Sequence, residues 1–415
     1  MDTGEIFENA KREKKGFFSV CTGNFDVIRV VLEFAKESGG VILIESTSNQ
    51  VNQEGGYTGL RPKDFVASVR KLMEEVGVNE DKVILGGDHL GPLPWKKMDP
   101  EEAMDKGKKM VEEYVRAGYR KIHLDTSFPL GDEGSIQPEI VAERQADLCE
   151  VAEGVWREMG GDPPFYVLGT EVPPAGGVVD EEDYVTSAEE FERVVEVTRD
   201  VFRKRGLENA WERVIAFVVQ PGVEFHKWGI RVYDPEKAKG LKEKLSSYHF
   251  VFEAHSTDFQ PLDSLSKMVR DGFAILKVGP ELTFKYREAL FALEMVEAEL
   301  GLPSSGLTRS LMSAMRNDPS RWCAYYEGTD LELKYSLLDR IRYYWSVDEV
   351  AKAKERLLED FRGQEIPSGL VSQYFPDFFE DVLVGRFRPT AEDLIRWKIF
   401  KSLDRYRRAV RGDAS

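Results

Sequence analysis

The sequence predicts an α/β protein, a (β/α)8 TIM barrel with a C-terminal helical extension. Eight short apolar runs alternate with longer amphipathic stretches over roughly the first 300 residues. The runs are near-continuous Val, Ile, Leu and Phe, the composition of strands buried on both faces. No GxGxxG opens the first unit, so a doubly wound sheet, which would alternate too, fits less well.

In order, the candidate strands are "GFFSVCTG" from Gly16, "GVILIEST" from Gly40, "KVILGGDH" from Lys82 and "KIHLDTS" from Lys121. "FYVLGTEVP" from Phe165, "RVIAFVVQPG" from Arg213, "YHFVFEAHS" from Tyr248 and "FAILKVGP" from Phe273 complete the set. Helical patterns lie between them. "NFDVIRVVLEFAKESG" carries Asn24 or Asp26 near its N-cap and closes on glycine. "DPEEAMDKGKKMVEEYVRAG" opens with Asp99 and Pro100, has acids in its first turn and ends on Gly118. Beyond Gly301 the chain becomes helical and aromatic-rich. Residues 1–300 are read as the barrel carrying the active site, and 301–415 as a helical extension packed on it.

Composition narrows the function. The 415 residues are 42 % hydrophobic and 11 % aromatic, enough for a packed interior. A net charge of −17 argues against a nucleic-acid partner, which needs a basic face, but leaves room for a local basic pocket that takes a small phosphorylated substrate. Three scattered cysteines give neither a disulfide framework nor a CxxC metal motif. The polar N-terminus and the lack of a long apolar stretch predict no membrane span and a cytoplasmic location.

The strand ends are unusually polar. Strand two ends in Glu45, strand three in Asp88 and His89, strand four in Asp125, strand five in Glu171 and strand six in Gln220. Strand seven carries Glu253 and His255. A lone acid at such a place is usually a turn former or helix cap, but a barrel draws its catalytic groups from these ends. Alternate residues share a face, so Glu253 and His255 point the same way, as do His123 and Asp125. Asp88 and His89 are adjacent and would diverge on an unbroken strand; Gly86, Gly87 and Gly91 are expected to permit the bend that brings both to the mouth. Two of the five histidines, His89 and His255, fall at strand ends and suit a divalent metal. His123 is expected to be buried in a barrel layer. After strands seven and eight, Ser256, Thr257 and Gly279 fit a phosphate cradle, with ordinary turn chemistry as the alternative. Arg340 and Arg342 of "LDRIRYYW" could supply charge to an anion, or form a solvated basic face.

The blocks "ESTSNQVNQEGGYTG", "GGDHLGP", "KIHLD", "GTEVP", "VVQPGVEF", "EAHSTD", "ILKVGPELTF", "YSLLDRIRYYW" and "SQYFP" together resemble the GatZ/KbaZ-like family, the tagatose-1,6-bisphosphate aldolase accessory subunits, from end to end. The resemblance implies two branches. One is a sugar or sugar-phosphate 4-epimerase interconverting fructose and tagatose forms, the 6-phosphates first. The other is a non-catalytic subunit that stabilises a class II aldolase; a stand-alone aldolase is a third reading. A homo-oligomer or a complex with a class II aldolase subunit would be its assembly. Similarity in layout to the metal-dependent class II aldolases makes Asp88 the acid/base and places His89 and His255 on the metal, zinc ahead of manganese, cobalt, nickel or magnesium. Those enzymes have a further histidine after strand six, where this chain has Gln220; Gln220 or Glu171 is therefore the expected third ligand. Asn49 and Gln50, in the first block, are assigned to substrate.

The expected reaction is C4 epimerisation by retro-aldol cleavage and re-addition, with the metal as Lewis acid. Asp88 and Glu171 would exchange protons on opposite faces, with Asp125 and Glu253 in reserve.

Overall fold

The computed structural model describes residues 12–169 and 184–413. Eight parallel strands close into a barrel: β1 (Phe17–Cys21), β2 (Ile42–Thr47), β3 (Val83–Leu90), β4 (Lys121–Leu124), β5 (Phe165–Gly169), β6 (Val214–Val218), β7 (Val251–Ala254) and β8 (Phe273–Val278). Each pairs with its neighbours in chain order, and β1 closes the ring on β8 through Val20 opposite Val278. The predicted (β/α)8 barrel is thus the architecture of this part of the chain.

Helices cover the outside because their sequences mark their own ends. Asn24 caps Phe25–Ser38, accepting from Asp26 N–H at 3.0 Å and Val27 N–H at 3.2 Å, and Gly39 ends it in the left-handed region at φ 67°. Asp99 caps Pro100–Ala117 in the same way, and Gly118 ends it at φ 93°. A short antiparallel ribbon, Glu224–Phe225 with Ile230–Arg231, follows β6.

The barrel interior is layered by strand parity. Leu43, Val251 and Ile275 belong to an apolar cluster that also holds Ile84, Val167 and Ala216. Two residues further along their strands, on the same inward face, stand Glu45, Glu253 and Lys277. The apolar layer therefore gives way to a charged one toward the strands' C-terminal ends.

The chain divides into two compact units. One contains the barrel, with Ile230–Gly279 and the chain from Arg405 onward; the other is His226–Gly229 with Pro280–Asp404. The second unit is helical, with Pro280–Glu299, Leu307–Asn317 and Asp348–Asp360 its longest complete helices and Leu290, Leu293, Leu311, Met315 and Leu357 fully buried. Among the described residues, no helix is long and apolar enough to cross a membrane.

Candidate metal centre

β3 delivers two neighbours to one place by breaking its own pleat. His89 sits at φ 50°, in the left-handed region, and the pairing of β3 with β4 shifts register between Gly87 and Leu90. That conformation costs a non-glycine residue about 1–3 kcal/mol and recurs at functional sites. The expected role of the glycines is corrected here: the bend lies in His89, and Gly86, Gly87 and Gly91 are absent from the left-handed region. They supply space. A Cβ on Gly86 would stand 2.8 Å from the Glu45 side chain, and one on Gly91 would stand 2.0 Å from the Asp125 carbonyl oxygen.

Asp88, His89, His123 and His255, all buried, bring one ligand atom each to within 4.8 Å of one another. The His89 ring lies 4.8 Å from that of His255 and 4.9 Å from that of His123. His89 Nδ1 meets Asp125 Oδ2 at 3.1 Å, and Asp125 Oδ1 in turn accepts from Ser127 Oγ at 2.7 Å. His255 Nε2 meets Glu253 Oε1 at 2.9 Å. Each pairing orients a ring, the arrangement common behind metal-bound histidines. His123 Nδ1 faces both the His89 backbone N–H, at 3.2 Å, and Asp88 Oδ1, at 3.0 Å. One is a donor and the other an acceptor, so a given tautomer makes only one of these bonds. Burial holds His123 below the usual histidine range despite its bond to Asp88, which favours the neutral, ligating form. Three imidazoles and a carboxylate are a donor set that fits a divalent transition metal.

Beneath this cluster lies a closed charge network. Lys277 Nζ is 2.8 Å from Asp88 Oδ1 and 3.7 Å from Glu253 Oε1, and it also pairs with Glu45. Lys121 Nζ is 2.5 Å from Glu45 Oε1 and 2.7 Å from Glu253 Oε2. Glu45, Lys121 and Glu253 are fully buried. Burial alone would raise the carboxyls, yet His89 and Lys277 hold Asp88 well below the carboxylate range, and Lys121 and Lys277 do the same for Glu253. Burial likewise opposes the charge on Lys277, but Asp88, Cys21, Glu45 and Glu253 keep its ammonium well above the usual range. Sequence reasoning passed over both lysines. The signal was present: Lys277 interrupts the apolar run "FAILKVG", and Lys121 shares the parity of His123 and Asp125.

The remaining predicted residues are placed as follows. Glu171 lies outside the described residues. Gln220 Oε1 accepts from Gly222 N–H at 3.0 Å and so serves its own turn, while His123, expected only as a packed layer residue, stands with the ligand cluster. Thr257 Oγ1 donates to the Lys277 carbonyl at 2.7 Å, and Gly279 N–H donates to Asp258 Oδ1 at 3.0 Å. Both groups tie the loop after β7 to the end of β8; a phosphate there would have to replace Asp258. Ser256 is buried at φ 53°, a second left-handed residue beside a cluster histidine. Gln50 Oε1 accepts from Thr47 N–H at 3.0 Å, while Asn49 is exposed. Arg340 and Arg342 belong to the second unit.

The family described as "D-tagatose-1,6-bisphosphate aldolase subunit GatZ/KbaZ-like" matches residues 4–411. The chain belongs to this GatZ/KbaZ-like family. It is 43 % identical over 404 residues to the D-tagatose-1,6-bisphosphate aldolase subunit GatZ of Escherichia coli (strain K12), covering 95 % of this chain and 96 % of that protein. The subunit of the same name from Shigella flexneri gives the same figures. A crystal structure described as a probable tagatose 6 phosphate kinase from Sinorhizobium meliloti 1021 is 38 % identical, with a TM-score of 0.88 over 95 % of this chain and 100 % of that one. Membership of the GatZ/KbaZ-like family agrees with the resemblance carried by the sequence blocks.

Proposed function

We propose that this chain is a subunit of a tagatose-1,6-bisphosphate aldolase assembly and that its ligands are ketohexose phosphates of the tagatose and fructose type. The observation that carries this reading is the 43 % identity, over nearly the whole of both chains, to proteins described as subunits of that aldolase. The epimerase expected first from the sequence therefore comes second.

We further propose that the barrel mouth holds a divalent metal, zinc first, on His89, His123 and His255. Bound there, the ion would polarise a ketose carbonyl as a Lewis acid. Asp88 is the proton-transfer group, because Lys277 and the histidines hold it as a carboxylate. Asp125 and Glu253 orient His89 and His255 rather than touch substrate. Lys121 and Lys277 fix the carboxylates from below.

One observation favours the second reading, a ketohexose-phosphate 4-epimerase acting alone. A subunit that only stabilises its partner has no need for a buried, strained cluster backed by a closed charge network. The test is to assay the purified, metal-loaded chain on tagatose 1,6-bisphosphate, alone and with a class II aldolase subunit, and separately on fructose 6-phosphate. A rise in the partner's cleavage rate, with the chain silent alone, supports the subunit reading. Conversion of fructose 6-phosphate to tagatose 6-phosphate by the chain alone supports the epimerase. No effect in either assay refutes both.

A further inference from the structure

We propose that the second unit carries a binding site for a phosphorylated sugar or polyol, built on Arg287, Asp339 and Arg340 with Arg342 and Tyr343 beside them. The proposal does not depend on the metal site.

The helix Pro280–Glu299 places Thr283 and Arg287 one turn apart on one face. Thr283 Oγ1 donates to Asp339 Oδ2 at 2.5 Å, which brings that face against the segment Asp339–Tyr343. Arg287 is 2 % exposed and Arg340 is 6 % exposed. Each lies on aromatic faces: the Arg287 guanidinium is 4.2 Å from the Phe284 ring, and that of Arg340 is 3.4 Å from the Tyr325 ring. Among the described residues, neither makes an ion pair with a carboxylate. Nε and Nη2 of Arg287 and Nε of Arg340 are buried without a hydrogen-bond partner.

Asp339 acts on Arg287 only at a distance, and a buried guanidinium with no hydrogen-bonded counter-ion is costly; stacking on an aromatic ring offsets only part of that cost. Arg287 acts electrostatically on Asp339 and Arg340 follows Asp339 in the chain, so both cations flank one residue, and together they point to an anionic ligand. The local geometry suits a phosphate: Arg340 Nη1 and Arg342 Nη2 both donate to the one oxygen of Tyr343, at 3.1 and 3.0 Å. Convergence of two guanidiniums on a single oxygen is how phosphate oxygens are held.

The same place also holds a buried acceptor. Asp339 is 2 % exposed, its Oδ1 has no hydrogen-bond partner, and its backbone is strained at φ 46°. A carboxylate repels a phosphate, so bare inorganic phosphate leaves this oxygen unsatisfied. A hydroxyl on the same ligand would satisfy it. Donors for an anion beside an acceptor for a hydroxyl describe a sugar phosphate or phosphorylated polyol.

The experiment uses the full chain, stripped of metal with chelator, in titration calorimetry against inorganic phosphate, fructose 6-phosphate and fructose. Fructose 6-phosphate is expected to bind at least about tenfold tighter than inorganic phosphate, and fructose not to bind. Arg340→Gln, or Arg287→Gln if that variant does not fold, should weaken both phosphate ligands by about tenfold or more. Asp339→Asn should bring fructose 6-phosphate down to the level of inorganic phosphate while leaving inorganic phosphate binding unchanged or tighter. Failure of the native chain to bind fructose 6-phosphate overturns the proposal, as does binding that both arginine variants leave intact. Equal affinity for the two phosphate ligands, unaltered by Asp339→Asn, overturns the assignment of the sugar.

Discussion

The ammonium of Lys277, on the last barrel strand, stands 2.8 Å from Asp88 Oδ1, on the third. It also pairs with Glu45 and lies 3.7 Å from Glu253, so one buried cation serves three carboxylates. Lys277→Met would leave these acids without that charge. Removing one partner of a buried ion pair costs about 3–5 kcal/mol, and a loss of that size is expected in chemical denaturation. Adding Glu45→Gln removes a charge of the other sign and should restore part of it. If Lys277→Met is as stable as the native chain, the network contributes nothing to stability.

The metal cluster makes a separate claim. His123→Ala and His255→Ala should each lower divalent-metal affinity by about 10- to 100-fold, read by competition with a coloured chelator. Gln220→Ala should leave it unchanged, because the Gln220 amide oxygen is engaged by Gly222 N–H. A drop in affinity with Gln220→Ala and none with His123→Ala would restore the ligand set expected from the sequence.

Asp88→Asn should abolish whichever turnover the assays detect, by about 100-fold or more, while the metal content stays near native and the chain stays folded, although less stable for the loss of a buried partner of Lys277. Asn keeps the shape of the side chain but cannot accept a proton. A variant with near-native rate would take Asp88 out of the chemistry.

Gly91 faces the Asp125 carbonyl oxygen so closely that a Cβ would stand 2.0 Å away. Backbone, not a flexible side-chain tip, would have to move. Gly91→Ala should therefore cost about 3 kcal/mol, at the upper end of overpacking. Because Asp125 holds His89, it should weaken metal binding too. Gly154→Ala, at a position where a Cβ meets nothing within 4 Å, is the control and should be neutral or stabilising.

Asp339 gives a pH dependence. Burial pushes its carboxyl up to about 6 from an ordinary 3.8, although Arg287, Thr283 and Arg342 pull the other way. The folded state then binds more protons than the unfolded one between these values, so stability falls as pH rises through that window. The loss is about 3 kcal/mol at neutral pH for a shift of this size. Thermal melts should show Asp339→Asn gaining on the native chain between pH 4 and pH 7; parallel curves would contradict the shift.

Much of the fold was legible because the signals were local. The eight apolar runs appear as the eight strands, and Asn24, Asp99, Gly39 and Gly118 end their helices as side chains of those types do. Within the site, Asp88, His89 and His255 were legible because polar residues at the ends of apolar strands stand out. His123 was read as packing because it lies two places before Asp125, the residue taken as the end of its strand. The two lysines were missed because a lysine within a strand shows nothing about which acids lie across the barrel from it.

The sequence by itself determined the strands and the shared parity of Glu253 with His255 and of His123 with Asp125. Those follow from the two-residue period of a strand, a property of the backbone. Only the tertiary structure decided that these residues meet. Closure of β1 on β8 sets Lys277 against Glu45 and Asp88, residues far away in the chain, and the left-handed turn at His89 lets adjacent side chains face one point. Neither feature is local. Each is stabilised by neighbours that the ring of strands brings together, which is why the same seven residues, "GGDHLGP", read as a turn alone and as part of a metal centre in the barrel.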